Sequence, residues 1–113
     1  MVEGSYTCGK SDVPLLGITV GEMVNAIAAK YPDTEAIVSV HQNIRWTYRE
    51  FLEKVDQLAK GLMALGVENV NRVGIWAMNY AEWVLVQFAT AKIGAIMVNI
   101  NPSYRTYELE YVL

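Results

Sequence analysis

The most informative part of the hydrophobic pattern is residues 72–102, where two short apolar runs flank a longer apolar stretch. Residues 73–77 and 95–99 are too short for helices, and they predict strands. Residues 80–93 between them are apolar on almost every side of a helix. The order strand–helix–strand predicts a βαβ unit with parallel strands and a right-handed crossover. A helix this apolar has to be covered on more than one side, so the pattern indicates a layered α/β fold.

Capping signals predict where the helices begin and end. Three sequences of the type Thr/Asn-x-x-Glu predict reciprocal capping boxes at helix starts. They are Thr19 with Glu22, Thr47 with Glu50, and Asn79 with Glu82. Gly66 and Gly94 predict left-handed ends for the second and third of these helices, and Pro32 ends the first. A fourth helix is expected from about Thr106, with Glu108 in its first turn.

Apolar residues at helical spacing predict which faces of the first two helices are buried. In the first helix they are Val20, Met23, Val24, Ile27 and Tyr31. In the second they are Phe51, Val55, Leu58, Leu62 and Leu65, with Leu52, Ala59 and Met63 beside them. The opposite face of the second helix carries two ion pairs by spacing, each worth about 0.2–0.5 kcal/mol. These pairs are Glu50 with Lys54 and Asp56 with Lys60.

The segment between the first two helices predicts a β-hairpin. Residues 35–40 and 44–47 form two short runs, the first of them rich in β-branched side chains, and both predict strands. The polar residues 41–43 between them have the length of a hairpin connection. We therefore expect these strands to pair in the antiparallel sense.

Composition narrows the class of protein. The chain has 113 residues, of which 53% are hydrophobic and 19% are charged. This balance suits one part of a larger layered domain, whose remaining polypeptide would cover the apolar faces. Glu82 and Lys92 interrupt the most apolar stretch before the ~20 residues that a transmembrane helix needs, so no such helix is expected. A net charge of -3, with scattered Lys and Arg, argues against nucleic-acid binding.

The single cysteine and the first residues bear on the cellular compartment. Cys8 has no second cysteine to pair with, which excludes an internal disulfide and suits a reducing compartment. Residues 1–17 are rich in Gly and Ser without periodicity, and they predict an extended arm ahead of the folded residues 18–113. The arm shows neither an apolar signal segment nor an Arg-rich amphipathic pattern, so the predicted location is cytoplasmic.

Residue chemistry alone predicts no catalytic, cofactor-binding or metal-binding residue. Residues 78–80 precede a helix N-terminus but lack the glycines of a phosphate-binding loop, so a plain helix cap is preferred. His41 is predicted to lie exposed in the hairpin connection, and Cys8 has no evident base to activate its thiol. The acidic residues are predicted to be loop or solvated helix positions, and the tryptophans to be packing residues. The two sets are Asp33, Glu35, Glu50, Glu53 and Asp56, and Trp46, Trp76 and Trp83.

Several short sequence segments resemble motifs of one family of enzymes, and they occur in the same order as in that family. They are AIV at 36–38, RWTYREF at 45–51, LMALGV at 62–67, RVGIW at 72–76, NYAEWV at 79–84 and NPSY at 101–104. In this order they are similar to AMP-forming acyl-CoA synthetases of the adenylate-forming superfamily. The closing YRTYELEYVL resembles the fatty-acyl branch. The resemblance covers residues 16–113, with departures at Asn71, where relatives carry Asp, and at Arg105, where many carry a Thr cap.

The resemblance implies an α/β fold that forms the N-terminal part of the layered αβαβα large domain of these enzymes. It implies a parent enzyme that joins a fatty acid to CoA through an acyl-adenylate, using ATP and Mg²⁺. The Ser/Thr/Gly-rich loop, the acidic groups for ribose and magnesium and the C-terminal lysine of the family would all lie beyond Leu113. Residues 18–113 would then be a partial, inactive AMP-binding domain that packs against the remainder of the same polypeptide. The alternative is a non-catalytic α/β interaction module, which the apolar helix faces allow.

Overall fold

Four helices and four strands make up residues 8–113, the part of the chain that the structure, a computed structural model, describes. The helices are α1 (Val20–Lys30), α2 (Tyr48–Ala64), α3 (Ala81–Ile93) and α4 (Thr106–Val112). The strands are β1 (Glu35–Ser39), β2 (Ile44–Thr47), β3 (Arg72–Trp76) and β4 (Ile96–Ile100), and a 3₁₀ turn spans Val40–Gln42. Within the predicted arm, residues 8–17 are exposed without helix or strand, and residues 1–7 lie outside the described part.

The strands pair as two small sheets. β1 and β2 form an antiparallel hairpin with a bulge between Glu35 and Ile37. Asn43 closes the 3₁₀ turn with a φ of 53°, a left-handed conformation that Asn adopts more readily than most residues. β3 and β4 are parallel, with Gly74 opposite Val98, and α3 connects them. The predicted hairpin and the predicted βαβ unit with parallel strands are therefore confirmed.

The core lies where the three longer helices meet. Its buried residues come from all three of these helices: Val24, Phe51, Val55, Ala59, Leu85 and Ala89. The rings of Phe51 and Phe88 meet edge to face with centroids 5.5 Å apart, an arrangement that aromatic pairs favour. Ile37 and Trp46 of the hairpin pack against the same cluster. Helix α3 therefore has α1, α2 and the strands around it, as its apolar pattern requires.

Two of the three predicted capping boxes are present. Thr19 Oγ1 accepts a hydrogen bond from the Glu22 backbone N–H at 3.2 Å, and the Glu22 carboxylate accepts from the Thr19 N–H at 2.7 Å. Thr47 and Glu50 make the same two bonds at 3.3 and 2.8 Å and start α2. Each box satisfies two of the backbone donors that a helix N-terminus leaves unpaired.

The predicted helix ends and the fourth helix are also confirmed. Gly66 and Gly94 follow α2 and α3 with φ of +88° and +72°, values at which glycine is strongly favoured. Helix α4 begins at Thr106, and the backbone N–H of Arg105 donates to the Glu108 carboxylate at 3.0 Å. Glu108 therefore accepts a hydrogen bond from the backbone at the start of this helix, although no Thr precedes it as N-cap.

The predicted buried face of α1 is partly wrong. Val20 and Tyr31 are 48% and 46% exposed, whereas Gly21 and Ala28 are buried. A Cβ on Gly21 would lie 3.2 Å from the Cα of Lys92. The close approach of α1 to α3 therefore selects small side chains, and hydrophobicity alone did not identify them.

The predicted pair of Asp56 with Lys60 is wrong, because Asp56 pairs with Lys92 of α3 instead. The same ammonium group donates to Asn25 Oδ1 of α1 at 2.8 Å. The Lys92 side chain is only 18% exposed, so this pair is better shielded from water than an ordinary surface ion pair. One lysine thus joins three helices.

The other predicted features of the outer part of α2 also need correction. Glu50 bonds Thr47 rather than Lys54, and the Lys54 ammonium lies 5.0 Å from the centroid of the Trp46 ring. Met63 and Leu65, both assigned to the apolar stripe, are 60% and 84% exposed. Leu62 in the same turn packs against the core, whereas its neighbours Met63 and Leu65 are left uncovered.

Candidate functional site

The carboxyl ends of β3 and β4 meet at one edge of the parallel sheet, which we call the carboxyl edge. Residues 77–80 follow β3, and Asn101 with Pro102 follows β4. In open α/β sheets ligands bind at this side, because the loops there leave a crevice between them. The Nε1 of Trp76 donates to the Asn101 carbonyl oxygen at 3.1 Å and joins the two loops.

The N-terminus of α3 opens onto the carboxyl edge, and its cap differs from the predicted one. The expected Asn79–Glu82 box is wrong, because α3 begins at Ala81 with Tyr80 as N-cap and without a capping side chain of its own. Instead Gln42 Oε1 accepts from the Ala81 N–H at 2.8 Å, and Gln42 Nε2 donates to the Glu82 carboxylate at 2.8 Å. The cap comes from the hairpin turn, and no local sequence signal points to it.

Charge at this helix terminus does not suit a phosphate group. The Glu82 carboxylate already occupies the positive end of the helix dipole. The hydrogen bond from Gln42 Nε2 and, to a smaller extent, the one from the Glu82 backbone N–H lower the pKa of the Glu82 carboxyl. The carboxylate is therefore negative at neutral pH. Among the described residues that line the adjoining groove there is no Lys or Arg. These observations favour a plain helix cap over a phosphate site, with Gln42 as the capping residue.

A groove of about 500 Å³ separates the hairpin from the start of α3. One wall is residues 36–41 of β1 and the turn, and the other is residues 79–81 with 83 and 84. His41 is exposed at its end, as predicted, with Nδ1 3.3 Å from Ser39 Oγ and its ring edge-on to Tyr80. Among the described residues that line this groove, His41 has the Ser39 hydroxyl beside its ring, and none carries a carboxylate.

The remaining candidates from the sequence are scattered. Cys8 is a free, exposed thiol. Asp33 and Glu35 pair with Arg49 and Arg45 at 2.9 and 2.8 Å on the surface. Within residues 8–113 the acidic, histidine and cysteine side chains form no group of three that could hold a metal ion.

The tryptophans differ from one another in burial. Trp46 and Trp83 are half-buried, in agreement with a packing role. Trp76 is 48% exposed at the carboxyl edge, so it does not lie in the core of the described residues, and its predicted packing role stays a prediction. The pattern of β3 could not reveal this, because burial of its outer face depends on what covers the sheet.

The fold places the chain in a known class of enzymes. Residues 24–113 match the family model described as AMP-binding enzyme, and the chain belongs to this family. The matched range contains both the hairpin and the βαβ unit.

Two curated relatives make the match more specific. Mouse "Medium-chain acyl-CoA ligase ACSF2, mitochondrial" is 46% identical over 109 residues, which are 96% of this chain and 18% of that protein. The "Putative acyl-CoA synthetase YngI" of Bacillus subtilis is 46% identical over 99 residues, which are 88% of this chain and 18% of that protein. The chain therefore spans under one fifth of the length of these relatives.

Solved structures agree with the sequence relatives. A Mycobacterium tuberculosis fatty acyl CoA synthetase superposes with a TM-score of 0.81 at 28% identity, over 84% of this chain and 19% of that one. The N-terminal subdomain of Klebsiella oxytoca NpsA, solved with anthranilyl-AMSN, gives 0.78 at 27% identity, over 84% and 24%. The described fold thus matches one part of the N-terminal subdomain of adenylate-forming enzymes.

No helix within residues 8–113 has both the length and the apolar character that crossing a membrane requires.

Proposed function

We propose that this chain is the N-terminal part of an AMP-forming fatty-acid–CoA ligase. In the first step of that reaction a carboxylate attacks the α-phosphate of ATP and releases pyrophosphate. In the second step the thiol of CoA attacks the acyl-adenylate carbonyl, which forms the thioester and releases AMP. The observation that carries the proposal is the 46% identity to a medium-chain acyl-CoA ligase over 96% of this chain.

Residues 8–113 supply scaffold rather than the groups that hold ATP, Mg²⁺ or CoA. The α3 N-terminus carries Glu82 and is capped by Gln42, and the described residues that line the groove beside it include no Lys or Arg. A nucleotide triphosphate needs positive or N–H donors aimed at its oxygens, which these residues do not offer. We therefore assign nucleotide and metal binding to the remainder of the same polypeptide.

That remainder is also the packing partner that we propose for the exposed apolar surface. β3 and β4 form a two-stranded parallel sheet, whereas parallel sheets are normally larger and covered on both faces. Trp76 and Ile96 are 48% and 45% exposed on this sheet. We propose that residues 18–113 are one portion of a larger domain.

The remaining assignments follow from the ligase. The substrates of the ligase would be a fatty acid and CoA. The net charge of -3 on these 113 residues gives no reason to expect nucleic acid as a partner. A cytoplasmic location stays our proposal, and the mouse relative is mitochondrial by its name. Subcellular fractionation with an antibody against the protein would distinguish the two compartments.

A direct assay tests the ligase proposal. The complete polypeptide that carries these residues would be incubated with ATP, Mg²⁺, CoA and fatty acids of increasing length. We expect fatty-acid-dependent formation of AMP and of the acyl-CoA thioester, measured by mass spectrometry. Residues 1–113 alone should show no carboxylate-dependent ATP–pyrophosphate exchange above blank. Exchange by the short chain would place the active site here, and an inactive complete polypeptide would favour the interaction module.

A further inference from the structure

Three hydrogen bonds converge on the side chain of one hairpin residue, Gln42. Its Oε1 accepts from the Ala81 backbone N–H and from Ser39 Oγ, both at 2.8 Å. Its Nε2 donates to the Glu82 carboxylate at 2.8 Å. The two contacts to α3 span 39 and 40 residues of sequence, so Gln42 links the hairpin to the βαβ unit.

The hairpin turn is shaped to present this amide. Gln42 is the last residue of the 3₁₀ turn, and Asn43 reverses the chain with a φ of 53°. Ser39, at the other end of the turn, orients the amide by donating to its Oε1. The bonds of its Oε1 to Ala81 and Ser39 are partly buried, which shields them from competing water, whereas the bond to Glu82 is exposed.

Gln42 and Trp76 together hold the loop 77–80 from both sides. On the helix side the loop ends at Ala81, whose N–H binds Gln42. On the strand side it begins after Trp76, whose indole binds the Asn101 carbonyl oxygen. Asn79 caps nothing and is exposed, so the loop has no cap of its own to fix it.

On the basis of the proposed ligase function, we infer that Gln42 is a positioning residue, which holds the carboxyl-edge loop 77–80 and the start of α3 in the geometry that the reaction needs. The carboxyl edge is the side of a parallel sheet at which ligands bind. Small displacements of loops at such sites reduce rates strongly, because reacting groups must be aligned. The absence of a cation among the described lining residues separates this role from ATP binding.

The test uses the complete polypeptide with Gln42→Ala, which removes all three bonds, and Gln42→Asn, which is one methylene shorter. Gln57→Ala, an exposed glutamine on α2, is the matched control. We expect kcat/KM for thioester formation to fall roughly tenfold in both Gln42 variants, as for other misplaced site elements, with KM for ATP unchanged. The control should keep the wild-type values.

A third variant, Gln42→Glu, separates positioning from general stability. It keeps an acceptor for the Ala81 N–H but sets a second carboxylate against Glu82. Its activity loss should be largest at neutral pH and should diminish on acidification, because one shared proton removes the repulsion. A loss of thermal stability with unchanged kcat/KM and an unchanged pH profile would overturn the inference.

If the complete polypeptide proves inactive, the ligase proposal fails. Hydrogen exchange then still tests whether Gln42 holds the loop. In Gln42→Ala the amides of residues 77–83 should exchange roughly fivefold faster than in Gln57→Ala, as expected for loss of a helix cap. Unchanged exchange in this segment would show that Gln42 does not hold the loop.

Discussion

Gly94 carries two separable constraints, and replacing it with alanine should reveal both. Its φ of +72° lies in the left-handed region, which costs an L-residue about 1–2 kcal/mol. Replacing glycine also lowers the conformational entropy of the unfolded chain, which offsets about 0.4–1 kcal/mol of this penalty. An added Cβ would also lie 2.8 Å from Asn69 Oδ1, closer than van der Waals contact allows.

The contact with Asn69 adds to the dihedral penalty but does not dominate it. The atom is the far end of an exposed side chain, which can rotate away. After the entropy gain is subtracted, we therefore expect Gly94→Ala to destabilise the α3–β4 junction by about 1 kcal/mol, with a smaller addition from the contact. Gly66→Ala is the control, because Gly66 has a φ of +88° and no atom within 4 Å of the added Cβ. It should show the dihedral penalty alone.

Hydrogen exchange at two amides reports the effect locally. The Val70 N–H donates to the Gly94 carbonyl oxygen at 2.8 Å, and the Ala95 N–H donates to Thr90 O at 3.0 Å. Both should lose protection in Gly94→Ala, and Asn69→Ala should restore the part that is due to contact. Equal or greater protection in Gly94→Ala would refute the argument that this backbone conformation requires glycine.

Three further predictions concern backbone strain, pH and covering of the sheet. Val70 is β-branched, 65% exposed and has a φ of 60°, so Val70→Asn should raise the melting temperature by relieving a conformation that β-branched residues avoid. Hydrogen bonds from the Thr47 backbone and hydroxyl lower the pKa of Glu50 below its ordinary 4.5. The stabilisation of the folded state by ionised Glu50 is therefore complete above pH 4.5 and is lost as the pH falls through the lowered pKa of the folded state. Glu50→Gln should accordingly destabilise the protein at pH 7 but not in acid, as measured by thermal unfolding. Residues 1–113 expressed alone should bind the dye ANS and melt without cooperativity, because Trp76 and Ile96 lie on an incompletely covered sheet, and a sharp calorimetric transition would contradict this.

The helix boundaries show how far local sequence reasoning reaches. Thr19 and Thr47 each start a helix through a bond to a residue three positions away, so the whole interaction lies within one phrase of sequence. The left-handed stops at Gly66 and Gly94 depend on one residue's freedom of φ. Such features are decided by neighbours in the chain, and the sequence predicted them correctly.

The contacts between elements are where sequence reasoning failed. Asn79 met the local requirements of a cap, but the helix is capped instead by Gln42, which lies 39 residues before Ala81 in the sequence. Asp56 had Lys60 at the right helical spacing, but it pairs with Lys92 because packing brings α3 alongside α2. Periodicity gives the side of a helix that can be buried, and it does not say which neighbour arrives there.

The candidate site divides in the same way. The absence of a glycine-rich phosphate loop could be read directly from residues 78–80, because such loops need particular residues at fixed spacing. The junction of Gln42, Ala81 and Glu82 could not be read, because no spacing rule connects a hairpin turn with a distant helix start.

By itself, then, the sequence determined the kinds and limits of the elements, the pairing within the hairpin and the βαβ order, since each follows from periodicity and short-range bonds. Only the tertiary structure decided which members of the predicted faces of α1 and α2 are buried, which partner Lys92 takes and which residue caps α3. These depend on how the elements approach one another in space. The physical reason is that shape and proximity across dozens of residues select among side chains that local chemistry leaves equivalent.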